Sequence, residues 1–221
     1  MERTEPLPWY TFSSIDFLED LLQPQWRVFE YGSGGSTRFY RERCVEVETV
    51  EHDPAWCIDE RVQLIARNSP LIVGSEEIDA EFNAQNFDLP NRGDEGSDHY
   101  DGLYIDPWRG YASQVYRHGR GCFDLIVCDA MARNLCLFYA SKMIKEDGYI
   151  LLDNSDRWQY NALQRYLIEN GFGRIEFWGN GPKIPNYWCT SIFSKNFKNK
   201  SMRIDKPLTS GDISGAGKPK Q

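Results

Sequence analysis

Apolar residues at Ile15, Leu18, Leu21 and Leu22 fall on one face of a helix, with Ser13-Ser14 positioned to cap it and Pro24 to end it. R-V-F-E-Y, from Arg27, is a short β-rich run that leads into G-S-G-G-S-T. The stretch from Thr37 to about Arg43 suits a helix. V-E-V-E-T-V-E, residues 45–51, alternates with period two and predicts a second strand. Asp53-Pro54 then opens another helix. The first half therefore reads β-α-β-α, the signature of a parallel α/β sheet.

A third strand falls within residues 62–73. Residues 74–110 are acidic and rich in Asn, Asp, Gly and Pro, an irregular insertion expected near the ligand-binding face. Y-A-S-Q-V-Y resumes helix, and F-D-L-I-V-C-D (123–129) is a buried strand. A helix over 134–145 follows, and Asp147-Gly148 turns into the strand Y-I-L-L-D-N (149–154). Asn161 to about Glu169 is helical and stops at Gly171. R-I-E-F-W-G and C-T-S-I-F-S pair as an antiparallel edge. One domain is expected over residues 1–195, followed by a polar, mobile tail at 196–221.

Composition narrows the partners. The chain holds 25 Lys and Arg against 33 Asp and Glu, a net charge of −8, which argues against a nucleic-acid footprint or a polybasic membrane anchor. The 41% hydrophobic content of 221 residues is ample for a packed core. No run approaches the ~20 apolar residues of a membrane span, and M-E-R-T-E-P-L-P-W-Y is not a secretory signal. The six cysteines form no C-x-x-C pair and read as reduced thiols. A cytoplasmic protein with a small-molecule substrate is expected; oligomeric state is open.

The chemistry concentrates at Glu30-Tyr31-Gly32-Ser33-Gly34-Gly35-Ser36-Thr37, between a strand and a helix. Glycines there let a ligand approach the backbone, at the carboxyl end of a strand. The dinucleotide pattern G-x-G-x-x-G would require glycine at 37, where Thr37 stands, so NAD is disfavoured. Glu51 ends the second strand, and a carboxylate there can accept both hydroxyls of a ribose.

V-F-E-Y-G-S-G-G-S-T with V-E-H-D-P-A-W, then F-D-L-I-V-C-D and G-Y-I-L-L-D-N-S-D-R, resembles class I S-adenosylmethionine-dependent methyltransferases over roughly residues 13–195. The resemblance implies a Rossmann-like, seven-stranded, mostly parallel sheet, its last strand antiparallel and helices on both faces. It implies that Glu30, Gly32, Ser33 and Gly34 contact the methionine portion of the cofactor, Glu51 the ribose, and His52 the adenosine side. Ser36 and Asp129 complete that cofactor set.

Asp129 ends one strand, and Asp153 and Asn154 end another. Two carboxylates and an amide are hard ligands suited to Mg²⁺ or a similar cation. The trio resembles the metal set of catechol-type and caffeoyl-CoA-type O-methyltransferases. Those families carry a Lys three residues after the first Asp, where this chain has Ala132. Arg133 follows, but an Arg cannot act as a base. A bound metal and a metal-free site both remain open.

Asp129 and Asp156 are the candidate catalytic carboxylates. Trp158 and Tyr160 are the candidates for a substrate wall, and His99 could reach the site from the insertion. The expected function is methyl transfer, O-methylation of a small hydroxylated molecule. The alternatives are a non-catalytic S-adenosylmethionine-binding module or partner subunit, and an aminopropyl-type transferase on the same fold.

Overall fold

The computed structural model describes residues 7–87, 89, 106–182, 185–197 and 201–205. His99 and most of the second half of the insertion lie outside them.

Among the described residues, eight strands form one sheet. In chain order they are β1 (Arg27–Tyr31), β2 (Glu46–Glu51), β3 (Val62–Leu64), β4 (Phe123–Cys128), β5 (Ile144–Leu152), β6 (Gly173–Gly179), β7 (Trp188–Ser194) and β8 (Ser201–Asp205). Across the sheet the order is β3-β2-β1-β4-β5-β7-β6-β8. The pairings β3-β2-β1-β4-β5 are parallel; β7 runs antiparallel to both β5 and β6. The expected parallel sheet with an antiparallel β7 is therefore present.

The strand count differs from the seven expected. β8 is an added edge that pairs parallel with β6, and it lies inside the polar tail. The tail offers only Met202 and Ile204 as apolar signals there, too few to mark a strand, because an edge strand can be held by backbone bonds with one face wet.

Helices α1 (Phe12–Leu21), α2 (Gly35–Arg41), α3 (Glu76–Ala84), α4 (Arg109–Ala112), α5 (Arg133–Met143) and α6 (Asn161–Glu169) complete the fold. Four local expectations need correction. Thr11, not Ser13-Ser14, is the N-cap of α1, and both serines lie buried inside the helix. Asp53-Pro54 opens only a single 3-10 turn, Pro54–Trp56. The insertion begins with a real helix, α3, whose Ile78 and Phe82 are buried. Asp147-Gly148 does not precede β5 but lies within it, as an excursion between the Phe123–Ile144 and Leu125–Tyr149 pairs. Gly148 permits that excursion, since a Cβ there would sit 2.6 Å from Ile144.

Period-two alternation divides the core into two layers. Val28, Leu125, Val127, Leu151 and Ile192 face α1 and α2. Phe29, Tyr31, Ile150, Leu152 and Phe193 face the side of α3 to α6. The central strands are apolar on both faces because helices cover both. All six cysteines are free; Cys44, Cys128, Cys136 and Cys189 are buried, as small core hydrophobes are. Among the described residues, no helix is long and apolar enough to cross a membrane.

Candidate functional site

A cleft opens at the carboxyl ends of β1, β2 and β4. The glycine loop supplies Ser33, Gly34, Gly35 and Ser36; the end of β2 supplies Glu51 and His52; the end of β4 supplies Asp129 and Ala130. Trp9 and Trp56 complete the lining.

The start of the loop is fixed by both neighbouring strands, β2 and β4. Gly32 N–H donates to Val50 O (2.8 Å), and Asp129 N–H donates to Tyr31 O (3.1 Å). Gly32 has φ +93°, and a Cβ there would lie 2.5 Å from Asp129 O. Only glycine fits, because the ends of β1 and β4 approach so closely.

Glu30 is fully buried beneath the loop. The β1–β2 register sets it opposite Thr49. Its carboxylate accepts from Ser36 Oγ (2.5 Å), Thr37 Oγ1 (2.7 Å) and Thr49 Oγ1 (2.9 Å). Burial pushes the carboxyl up to about 7, and the three hydroxyl donors pull against that shift. Thr37 Oγ1 also accepts from Gly34 N–H (3.0 Å), so the residue that breaks the dinucleotide pattern braces the loop from below. Glu30 and Gly32 thus support the cleft without lining it, and Ser36 reaches both.

Glu51 shapes the other wall and is almost wholly buried. Its Oε1 accepts from the N–H groups of His52 (2.7 Å) and Asp53 (2.9 Å), and its Oε2 from Ser33 N–H (2.8 Å). His52 Nδ1 lies 2.8 Å from Oε1. Burial alone would raise this carboxyl, but the hydrogen bonds from His52, Asp53 and Ser33 outweigh it and hold it below the ordinary carboxylate range. The His52 ring stands edge-on to Trp108 at 5.2 Å. With one hydrogen bond from Ser33 N–H, Oε2 retains acceptor capacity towards the cleft.

Asp129 faces the cleft with about a quarter of its side chain exposed. Burial raises its carboxyl; Arg133 opposes that shift, while Asp153 and Glu30 add to it. The same burial raises Asp153, again opposed by Arg133.

The fold brings Asp129, Asp153 and Asn154 together, but around a guanidinium. Arg133 Nη2 lies 3.0 Å from Asp129 Oδ1. Its Nη1 donates to Asn154 Oδ1 (3.0 Å) and to the main-chain oxygen of Asp153 (2.6 Å), and its Nε to Ala130 O (2.9 Å). The Asp153 carboxylate instead accepts from Thr190 Oγ1 (2.6 Å) and Trp188 Nε1 (3.1 Å) on β7. Asn154 takes a left-handed turn, φ +53°, a conformation Asn tolerates well, which accounts for it at this position. The donor set does not fit a divalent cation: a positive group already holds its centre. Among the described residues, no group of three His, Cys, Asp or Glu side chains could hold a metal ion.

Other candidates lie elsewhere. Asp156 is exposed, and its Oδ1 accepts from Cys189 N–H (3.0 Å) at the start of β7. Tyr160 is fully buried and Trp158 is exposed, and neither lines the cleft. His118 pairs with Glu48 (2.6 Å). Ala132 is buried with φ +53°, and its methyl side chain offers the cleft no proton acceptor.

Two aromatics escaped the sequence reading. Trp9 and Trp56 meet edge to face at 5.3 Å and stay 41% and 44% exposed, enough for a ligand to pack on them. Trp56 closes the D-P-A-W run, but nothing in sequence marks Trp9 as its neighbour.

No protein-family model and no curated protein matches the chain. Among solved structures, the chain is similar to a methyltransferase-like protein from Silicibacter pomeroyi (19% identity, 95% of this chain and 94% of that one, TM-score 0.47). It is also similar to a putative hemolysin from Lactococcus lactis (10% identity, 90% and 91%, TM-score 0.42). A third likeness is to the S. pombe Dnmt2 methyltransferase (8% identity, 86% and 54%, TM-score 0.37).

Proposed function

We propose that the protein is an S-adenosylmethionine-dependent methyltransferase acting on a small hydroxylated acceptor. The observation that carries this reading is the cleft in which the glycine loop, Glu51 and Asp129 meet at three adjacent strand ends. When bound, the cofactor supplies a methyl group made electrophilic by a sulfonium. Glu51 Oε2 accepts a ribose hydroxyl, and the Ser33 N–H latch holds that oxygen in place. Gly34 and Gly35 leave the loop open to the cleft. Trp9 and Trp56 cover apolar ligand surface and exclude water at its rim. Asp129, held by Arg133, is the cleft carboxylate placed to accept the acceptor's proton, and its raised carboxyl makes it a stronger base than an exposed aspartate. Asp156, engaged with β7, lies outside the cleft lining and has no part in this reading.

Calorimetric titration of S-adenosylhomocysteine into the wild type and Glu51→Gln tests the reading. Saturable binding is expected for the wild type, at least tenfold weaker in the variant, for loss of a charged hydrogen-bond acceptor. Quenching of the Trp9 and Trp56 fluorescence should track the same isotherm. No binding by the wild type overturns the reading. Binding without turnover on a panel of hydroxylated acceptors favours the non-catalytic module. Product mass separates methyl from aminopropyl transfer.

A further inference from the structure

We propose that the Arg133 guanidinium is this site's built-in cation: it occupies the centre of the strand-end oxygens and orients Asp129 towards the cleft, so the site takes no divalent metal. Four oxygens surround it: Ala130 O, Asp153 O, Asn154 Oδ1 and Asp129 Oδ1, at 2.6–3.0 Å. Those are hydrogen-bond lengths to a planar fork. Mg²⁺ would require six oxygens at roughly 2.0–2.1 Å in octahedral array. The Asp153 carboxylate, the strongest remaining ligand, is turned to Thr190 and Trp188. Arg133 is itself only 8% exposed, and the Tyr160 ring lies 5.9 Å from its guanidinium carbon. Moving it aside would leave a buried charge without its oxygens, at a cost far above that of an exposed ion pair.

The inference rests on the methyltransferase reading in one respect: it narrows the acceptor. With no ion to chelate, the acceptor is not selected for two adjacent oxygens. A single hydroxyl, placed against Asp129 by the cleft walls, meets the geometry. Arg133 does not itself line the cleft but holds two residues that do, Asp129 and Ala130, so it is a positioning residue that acts through Asp129.

The test uses the full chain. Mn²⁺ is titrated into the wild type and followed by the loss of its free-ion paramagnetic resonance signal. No saturable site is expected, and S-adenosylhomocysteine binding should be the same in Mg²⁺ and in EDTA. A saturable Mn²⁺ site that disappears in Asn154→Ala overturns the proposal. Arg133→Ala should bind S-adenosylhomocysteine about tenfold more weakly, the scale of one hydrogen bond to a charged group. Millimolar guanidinium should restore that affinity, a rescue that a merely structural role would not show; failure of rescue in a folded variant overturns the positioning role. Should Arg133→Ala not fold, Arg133→Lys takes its place, with an intermediate affinity expected and wild-type affinity counting against the role. If the wild type binds no S-adenosylhomocysteine in either buffer, the methyltransferase reading fails, while the Mn²⁺ titration still decides the nature of the cation.

Discussion

Glu30 shows how one buried carboxyl ties sequence to pH behaviour. Its carboxyl is pushed up to about 7 in the folded protein, against an ordinary value of about 4.5. The folded state therefore holds a proton more tightly than the unfolded chain. The associated stability is fully present below about pH 4.5 and is lost as pH rises through 7, an effect on the order of 3 kcal/mol. Glu30→Gln removes the titration. Urea unfolding from pH 5 to pH 8 should show the variant gaining on the wild type as pH rises; a constant difference would contradict this. Gly32 is governed by sterics instead. Gly32→Ala combines an unfavourable φ with contact on Asp129 O, and should cost about 2–4 kcal/mol in the same assay.

At the scale of elements, the segment that composition marks as an irregular insertion is partly core. Phe82 on α3 packs against Phe87 (5.3 Å between ring centroids) and Phe138 of α5 (5.2 Å). Phe82→Ala should destabilise by about 3–5 kcal/mol in denaturant unfolding. A change under 1 kcal/mol, well below that range, would mean that α3 merely decorates the surface. β2 was legible from its period-two alternation and β4 from its short, continuous apolar run. β8 was not, since its strand state comes from pairing with β6. Residues 54–56 read as helix from the Asp-Pro start, yet the chain turns away after one 3-10 turn, placing Trp56 at the cleft mouth.

At the scale of the whole molecule, the cleft is built where β1, β2 and β4 end, so a ligand there bridges segments that are far apart in sequence. Binding should therefore stabilise the global fold. At a ligand concentration about 100 times Kd the gain is about 2.7 kcal/mol, or a rise in Tm of roughly 5–10 °C for a chain of this size. Thermal melting with S-adenosylhomocysteine checks this, and an unchanged Tm at saturation would contradict a cleft of this construction.

The sequence by itself determined the alternation of strands and helices, the glycine loop and the acidic strand end, because periodicity and local backbone chemistry act over a few neighbouring residues. Tertiary structure alone decided what Asp129, Asp153 and Asn154 do together. Sequence spacing brought them to one edge of the sheet, but side-chain direction is set by packing. β7 draws the Asp153 carboxylate away, and Arg133 fills the space left among the oxygens. The same holds for Glu30, whose place beneath the loop follows from cross-strand register with Thr49. The Glu30–Thr49 and Asp153–Thr190 contacts join residues 19 and 37 positions apart, beyond the reach of any local pattern.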